Sequence, residues 1–125
     1  MERLFGNSFA VLGRSLDYLW QKESVTAANL ANVDTPGYKA KYVKFEDMFN
    51  AKLRAASGNR AETYKAAKNA RWEVKVSETE TARLDGNNVV PDTETVELTR
   101  AALQYQYVLS SINSDISRLS SVIKG

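Results

Sequence analysis

Few side chains in this sequence are equipped for bond chemistry. The chain contains neither Cys nor His. Disulfides, thiolate nucleophiles, the commonest general base and the commonest metal ligand are therefore all absent. The carboxylates are scattered and read as solvated charges on helix faces, so no tuned acid–base pair is expected. Ser110-Ser111 and Ser120-Ser121 have no imidazole to activate them. They fit better as small polar residues at a close helix interface. The six glycines are isolated, which argues against a phosphate-binding loop. These features point away from an enzyme, and no cofactor or metal is expected. "YKAKYVKF", Tyr38 to Phe45, interleaves lysines with aromatics, a pattern that can grip a nucleic acid backbone and stack on bases. With a net charge of only +2, an edge strand or extended loop with wet lysines explains it better.

The constellation that remains does hydrogen-bond chemistry. In "ANLANVDTPGYKAK", Ala28 to Lys41, the amides Asn29 and Asn32 precede Thr35, Pro36, Gly37 and Tyr38. Pro36 pre-sets the second position of a type II turn, and Gly37 supplies the positive φ of the third. Thr35, preceding a proline, is expected to be extended. Asn32 falls at a helix end, where its amide can satisfy loose carbonyls. Asn29 lies one turn earlier, one residue off the apolar seam. It can bond to the following elbow or to a neighbouring subunit, or simply be solvated. Taken together, the two amides and Pro-Gly predict an interface, with the elbow sending Tyr38 and the basic "KAKYVK" stretch out of the helix pair towards another copy.

Two long helices must position this elbow. From about Asn7 to Asn32, Phe9, Leu12, Leu16, Leu19, Glu23, Thr26 and Leu30 recur at alternating spacings of three and four, a heptad seam. Phe5 extends it backwards. From about Thr93 to Ile123, Leu98, Ala102, Tyr105, Leu109, Ile112, Ile116, Leu119 and Ile123 keep the same alternation. Asp92 or Thr93 is the expected cap, with Glu94 and Glu97 suited to the positive end of the helix dipole. Pro91 stands just ahead, where its missing N–H costs nothing. Between the helices, Phe45 to Ala56 reads as a short amphipathic helix ended by Ser57-Gly58-Asn59. Residues 60–70 read as a loose helix or loop. Trp72 to Val76 alternates like a strand. Asp85-Gly86-Asn87-Asn88 is a strong turn signal, with Arg83-Leu84 and Val89-Val90 as candidate flanking strands.

The expected fold is mainly α: long N- and C-terminal helices pair as a coiled-coil-like hairpin around a small irregular, β-containing middle. One domain is expected, divided into 1–38, 39–92 and 93–125, with a modest core for its size. The basic residues concentrate in the middle: residues 39–75 hold ten basic and four acidic side chains, residues 1–38 three and four, and residues 76–125 four and seven. This layout suits either an anionic partner or copies packed head to tail. No stretch approaches the apolar length of a membrane span. No basic start leads into an apolar run, so a cleaved secretory signal is not expected. A single helix pair leaves Phe5, Trp20, Tyr105 and Tyr107 with apolar area to cover, and another copy of the chain is the simplest cover.

"NLANVDTPGYKAK" resembles the N-terminal signature of the flagellar rod and hook proteins, the axial proteins of the bacterial basal body. "LDGNNV", Leu84 to Val89, and the run from Asp92 to the end resemble the proximal-rod type among them. Val90-Pro91-Asp92 departs from the acidic residue and Leu that often follow the Asn-Asn-Val turn in that family. The resemblance implies a structural subunit that polymerises helically in the periplasmic part of the basal body, reached through the flagellar type III apparatus without a cleaved signal. It also implies contacts with other copies, other rod proteins, the rod-base adaptor, the export gate and the membrane ring, and with neither nucleic acid nor a small-molecule substrate. The assembly interface it implies is Phe9, Leu12, Leu16, Leu19 and Leu30 of the first helix with Leu98, Tyr105, Leu109, Ile112, Ile116, Leu119 and Ile123 of the second. Phe5 and Phe9 resemble a short Phe-based export-gate motif, and they are also seam residues one turn apart. The alternative is a helical adaptor or secretion chaperone presenting a groove to partner helices.

Overall fold

The computed structural model describes residues 2–44 and 71–125, with residues 58, 65 and 69 between them. Helix α1 spans Glu2–Ala31 and helix α2 spans Pro91–Lys124. Between them, strands β1 (Lys41–Lys44) and β2 (Glu73–Val76) form a two-stranded antiparallel sheet with Lys41 opposite Val76 and Lys44 opposite Glu73. The mainly helical class is therefore as expected. Within the lysine–aromatic stretch Lys41–Lys44 is a strand, and Glu73–Val76 of "WEVKV" is its partner. Arg83-Leu84 and Val89-Val90 are not strands; they are irregular chain on either side of a turn. The helix expected over Phe45–Ala56 lies outside the described residues, as do all of 60–70 but residues 65 and 69, and the side chain of Phe5.

The core is small and sits where three elements meet. Tyr18 and Leu19 of α1 and Ala101 of α2 are buried, with Val43, Trp72, Tyr105 and Val108 packed against them. Tyr18 meets Trp72 edge to face, their ring centroids 6.5 Å apart. The Arg14 guanidinium lies 4.5 Å from the centre of the same ring, so the indole takes a cation on its face as well as an aromatic edge. Trp72 thus ties β2 to α1. Lys22 and Glu97 bridge α1 to α2 at 3.2 Å.

The contact line on α2 differs from the expected seam at every second position. Leu98, Tyr105, Ile112 and Leu119 are half-buried. The residues between them that turn inward are Ala101, Val108 and Asp115, not Ala102, Leu109 and Ile116. Ala102, Leu109, Ile116 and Ile123 are exposed. Both lines alternate three and four, so periodicity alone cannot choose between them. Burial does: Ala101 is 0% exposed, and its small side chain allows α1 and α2 to approach closely there. On α1, Leu19 and Thr26 are buried and Leu12, Leu16 and Leu30 half-buried, while a neighbouring line of Tyr18, Val25 and Asn29 is buried too.

Both helix boundaries near the elbow are set by local chemistry. α2 begins earlier than expected and without a side-chain cap. Val90 is extended at φ −106, ψ 102, and Pro91 takes the first turn, so neither Asp92 nor Thr93 caps. α1 stops where Asn32 Nδ2 donates to Ala28 O at 2.8 Å and Thr35 Oγ1 donates to Asn32 Oδ1 at 3.1 Å. The last turn of α1 has no basic residue, so an amide does the capping. The Tyr38 N–H donates to Thr35 O at 3.2 Å across Pro36-Gly37, and Gly37 has φ 73. A Cβ at Gly37 would meet nothing within 4 Å, so the demand for glycine is purely conformational. Gly37→Val is expected to cost about 1–2 kcal/mol through the left-handed backbone alone. Urea unfolding checks this; a cost indistinguishable from zero would mean the turn relaxes to another type.

Candidate functional site: an amide-locked elbow

The elbow is closed by three asparagines, each at least nine-tenths buried. Asn29 is 1% exposed and lies on the line of α1 that faces the sheet. Its Oδ1 accepts from Lys41 N at 2.9 Å and from the Tyr38 hydroxyl at 3.1 Å. Its Nδ2 donates to Lys41 O at 2.8 Å and to Glu94 Oε2 at 3.0 Å. Two lone pairs and two N–H groups are all the amide has, and all four are used. The paired bonds to Lys41 reproduce, with a side chain, the reciprocal bonds of a strand pair. Burial first, and the Glu94 carboxylate second, push the Tyr38 hydroxyl above its ordinary value, so it stays protonated and keeps donating.

Asn87 is 0% exposed, in the turn 52 to 55 residues further along the chain. Its Nδ2 lies 2.8 Å from Asn32 O and 3.0 Å from Val33 O and Thr35 O, gathering the carbonyls left open where α1 ends. Its Oδ1 accepts from Val89 N at 2.8 Å. Asn88 does the same for the sheet. Its Oδ1 accepts from Ala40 N at 2.6 Å, and its Nδ2 donates to Ser77 O and Thr79 O at 3.0 and 3.1 Å. Gly37 N donates to Asp85 O at 2.7 Å, and Lys39 Nζ bonds Gly86 O. The turn is itself shaped by Gly86 at φ 78 and by Asp85 Oδ1, which accepts from Asn87 N at 3.0 Å.

This geometry corrects the expected direction of the elbow. Tyr38 folds back onto Asn29, and Ala40 is buried, so the elbow does not send this stretch away from the helix pair. The amide of Asn29 is spent within the chain and offers nothing to a neighbour. The structure brings Asn29, Asn32, Thr35 and Tyr38 together, leaves Pro36 and Gly37 at the exposed tip, and adds Asn87, Asn88 and Glu94, whose roles the sequence did not disclose. The clue was present as two adjacent asparagines inside one turn, but a turn signal does not say which backbone the side chains will meet. Among the described residues there is no group of His, Cys, Asp or Glu able to hold a metal ion. No helix among them is long and apolar enough to cross a membrane.

The elbow and the last turns of α1 coincide with a known protein class: the family model described as "Flagella basal body rod protein" matches residues 21–39. Over nearly its whole length the chain is also similar to individual members. It is 32% identical over 128 residues to the flagellar basal body rod protein FlgB of Cereibacter sphaeroides, covering 97% of each chain. It is 28% identical over 125 residues to the FlgB of Bacillus subtilis, covering 98% of this chain and 97% of the relative. With the FlgB of Escherichia coli it shares 30% identity over 115 residues, 83% of each. The chain belongs to the FlgB type of flagellar basal body rod proteins. It is thus a component of the flagellar basal-body rod.

Proposed function

We propose that this chain is a structural, non-catalytic subunit of the proximal rod that polymerises helically through α1 and α2. The three stretches 1–38, 39–92 and 93–125 act as one domain. Its neighbours are further copies, other rod proteins, and the adaptor, export gate and membrane ring at the rod base. It reaches the periplasm through the flagellar type III apparatus without a cleaved signal, with Phe5 and Phe9 the candidates for contact with the gate. The observation that carries this reading is the second apolar line on α2. Leu109, Ile116 and Ile123 are 37%, 51% and 77% exposed, beside a parallel line already engaged with α1. An apolar helix face of that length left open to water is what a subunit presents to a neighbour.

Because Ile116 is exposed, Ile116→Asp is expected to leave the isolated chain as stable as the parent, within about 0.5 kcal/mol. In cells it should abolish swimming and intact rods, since burying an unpaired carboxylate at an assembled interface costs several kcal/mol. Motility assays and negative-stain imaging of purified basal bodies, set beside urea unfolding of the purified variant, test this. Normal swimming would show that this line is not buried in the rod.

A further inference from the structure

We propose that the turn Asp85–Asn88 is a latch, and that the elbow has no closed form until this late part of the chain is present. The bonding across the joint runs both ways, but the turn holds more of its own shape than the elbow does. The turn is organised by its own residues, through Gly86 at φ 78, Asn87 N to Asp85 Oδ1, and Val89 N to Asn87 Oδ1. The elbow is less so. Val33 O, Gly37 N, Tyr38 O and Ala40 N find their partners in Asn87, Asp85 and Asn88, and these lie about fifty residues later in the sequence. Buried backbone groups must be paired. Water can pair them in the open state, and only the turn does so in the closed one.

Asn88 extends the dependence to the sheet, because one side chain holds both Ala40, just ahead of β1, and Ser77, just after β2. Asn29 extends it to α1, because its bonds to Lys41 hold only while β1 is seated. The end of α1, the elbow, the sheet and the turn therefore open and close together. In a chain delivered amino end first, the elbow waits for residue 88. The latch follows from these contacts whether or not the chain polymerises through its helices.

Native-state amide exchange on the full chain, followed as denaturant is raised, tests the latch. The amides of Gly37, Ala40, Lys41 and Val89 are expected to merge onto one opening isotherm. Asn87→Ala removes the acceptor of Val89 N directly, and should also lower protection at Gly37, Ala40 and Lys41 by a common factor of about tenfold or more. Lys41 is the telling position, because its amide bonds to Asn29 and not to the turn. If Lys41 keeps its protection in Asn87→Ala while Val89 loses it, the latch is wrong. Should that variant fail to fold, the parent chain decides alone: separate isotherms for Lys41 and Val89 overturn the proposal.

Discussion

Asn29→Asp is expected to destabilise the fold by about 3–5 kcal/mol, although it changes one NH₂ for an oxygen. The shape is kept, so the loss is chemical. Both donors vanish, leaving Lys41 O without a partner. The new carboxylate faces Glu94 Oε2, which lies 3.0 Å from the present Nδ2, so attraction becomes repulsion between two anions away from water. The introduced carboxyl would have a folded-state pKa above its unfolded value. Its proton-bound form therefore helps the fold at low pH, and that help is lost as pH rises through the carboxylate range. The deficit against the parent should shrink as the pH is lowered. Urea unfolding at neutral and acidic pH measures both parts. A variant within 1 kcal/mol of the parent at neutral pH would mean that the Asn29–Glu94 contact is not made in solution.

Ala101→Leu is expected to cost about 1–3 kcal/mol or more, and Ala102→Leu less than about 0.5 kcal/mol, although the two alanines are adjacent. Ala101 has no exposed surface and lies in the buried cluster with Tyr18 and Leu19. Three extra carbons there must push α1 and α2 apart or drive side chains off their rotamers. Ala102 is exposed, and a longer side chain can lie along the helix. Thermal unfolding of the two variants reads out the contact line directly. Equal costs, or the reverse order, would show that the helices meet along the line through Ala102, Leu109 and Ile116.

The same pair of residues shows where sequence reasoning stops. Two long helices and a short sheet were legible because periodicity and turn residues are local signals. The choice between Ala101 and Ala102 was not, since both give the same alternation and the hydrophobic count favours Leu109 and Ile116 over Val108 and Asp115. Only the distance between the helix axes decides, and that distance is a property of the pair. The elbow divides in the same way. Pro36-Gly37 declares a turn because proline and glycine restrict their own dihedrals. Asn87 and Asn88 declare nothing about Asn32, Thr35 or Ala40, because an amide bonds whatever backbone the fold brings to it. α2 starts ahead of Asp92 and Thr93 because Pro91, with its φ already helical, takes the first turn after extended Val90 and no side-chain cap is used.

At the elbow, the bonds that fix the end of α1 to the start of β1 come mostly from the neutral amides of Asn29, Asn87 and Asn88, with Glu94 the one charged group that Asn29 meets. Amide–carbonyl bonds are not screened by dissolved ions, unlike the exposed ion pairs Lys75–Glu73 and Arg100–Glu97. Asparagine side chains also carry no proton to gain or lose between mildly acidic and mildly alkaline conditions. The angle at which α1 leaves the sheet is therefore expected to hold from dilute buffer to strong brine. A part that must keep its shape while the surrounding ionic strength varies is better fastened this way than by ion pairs.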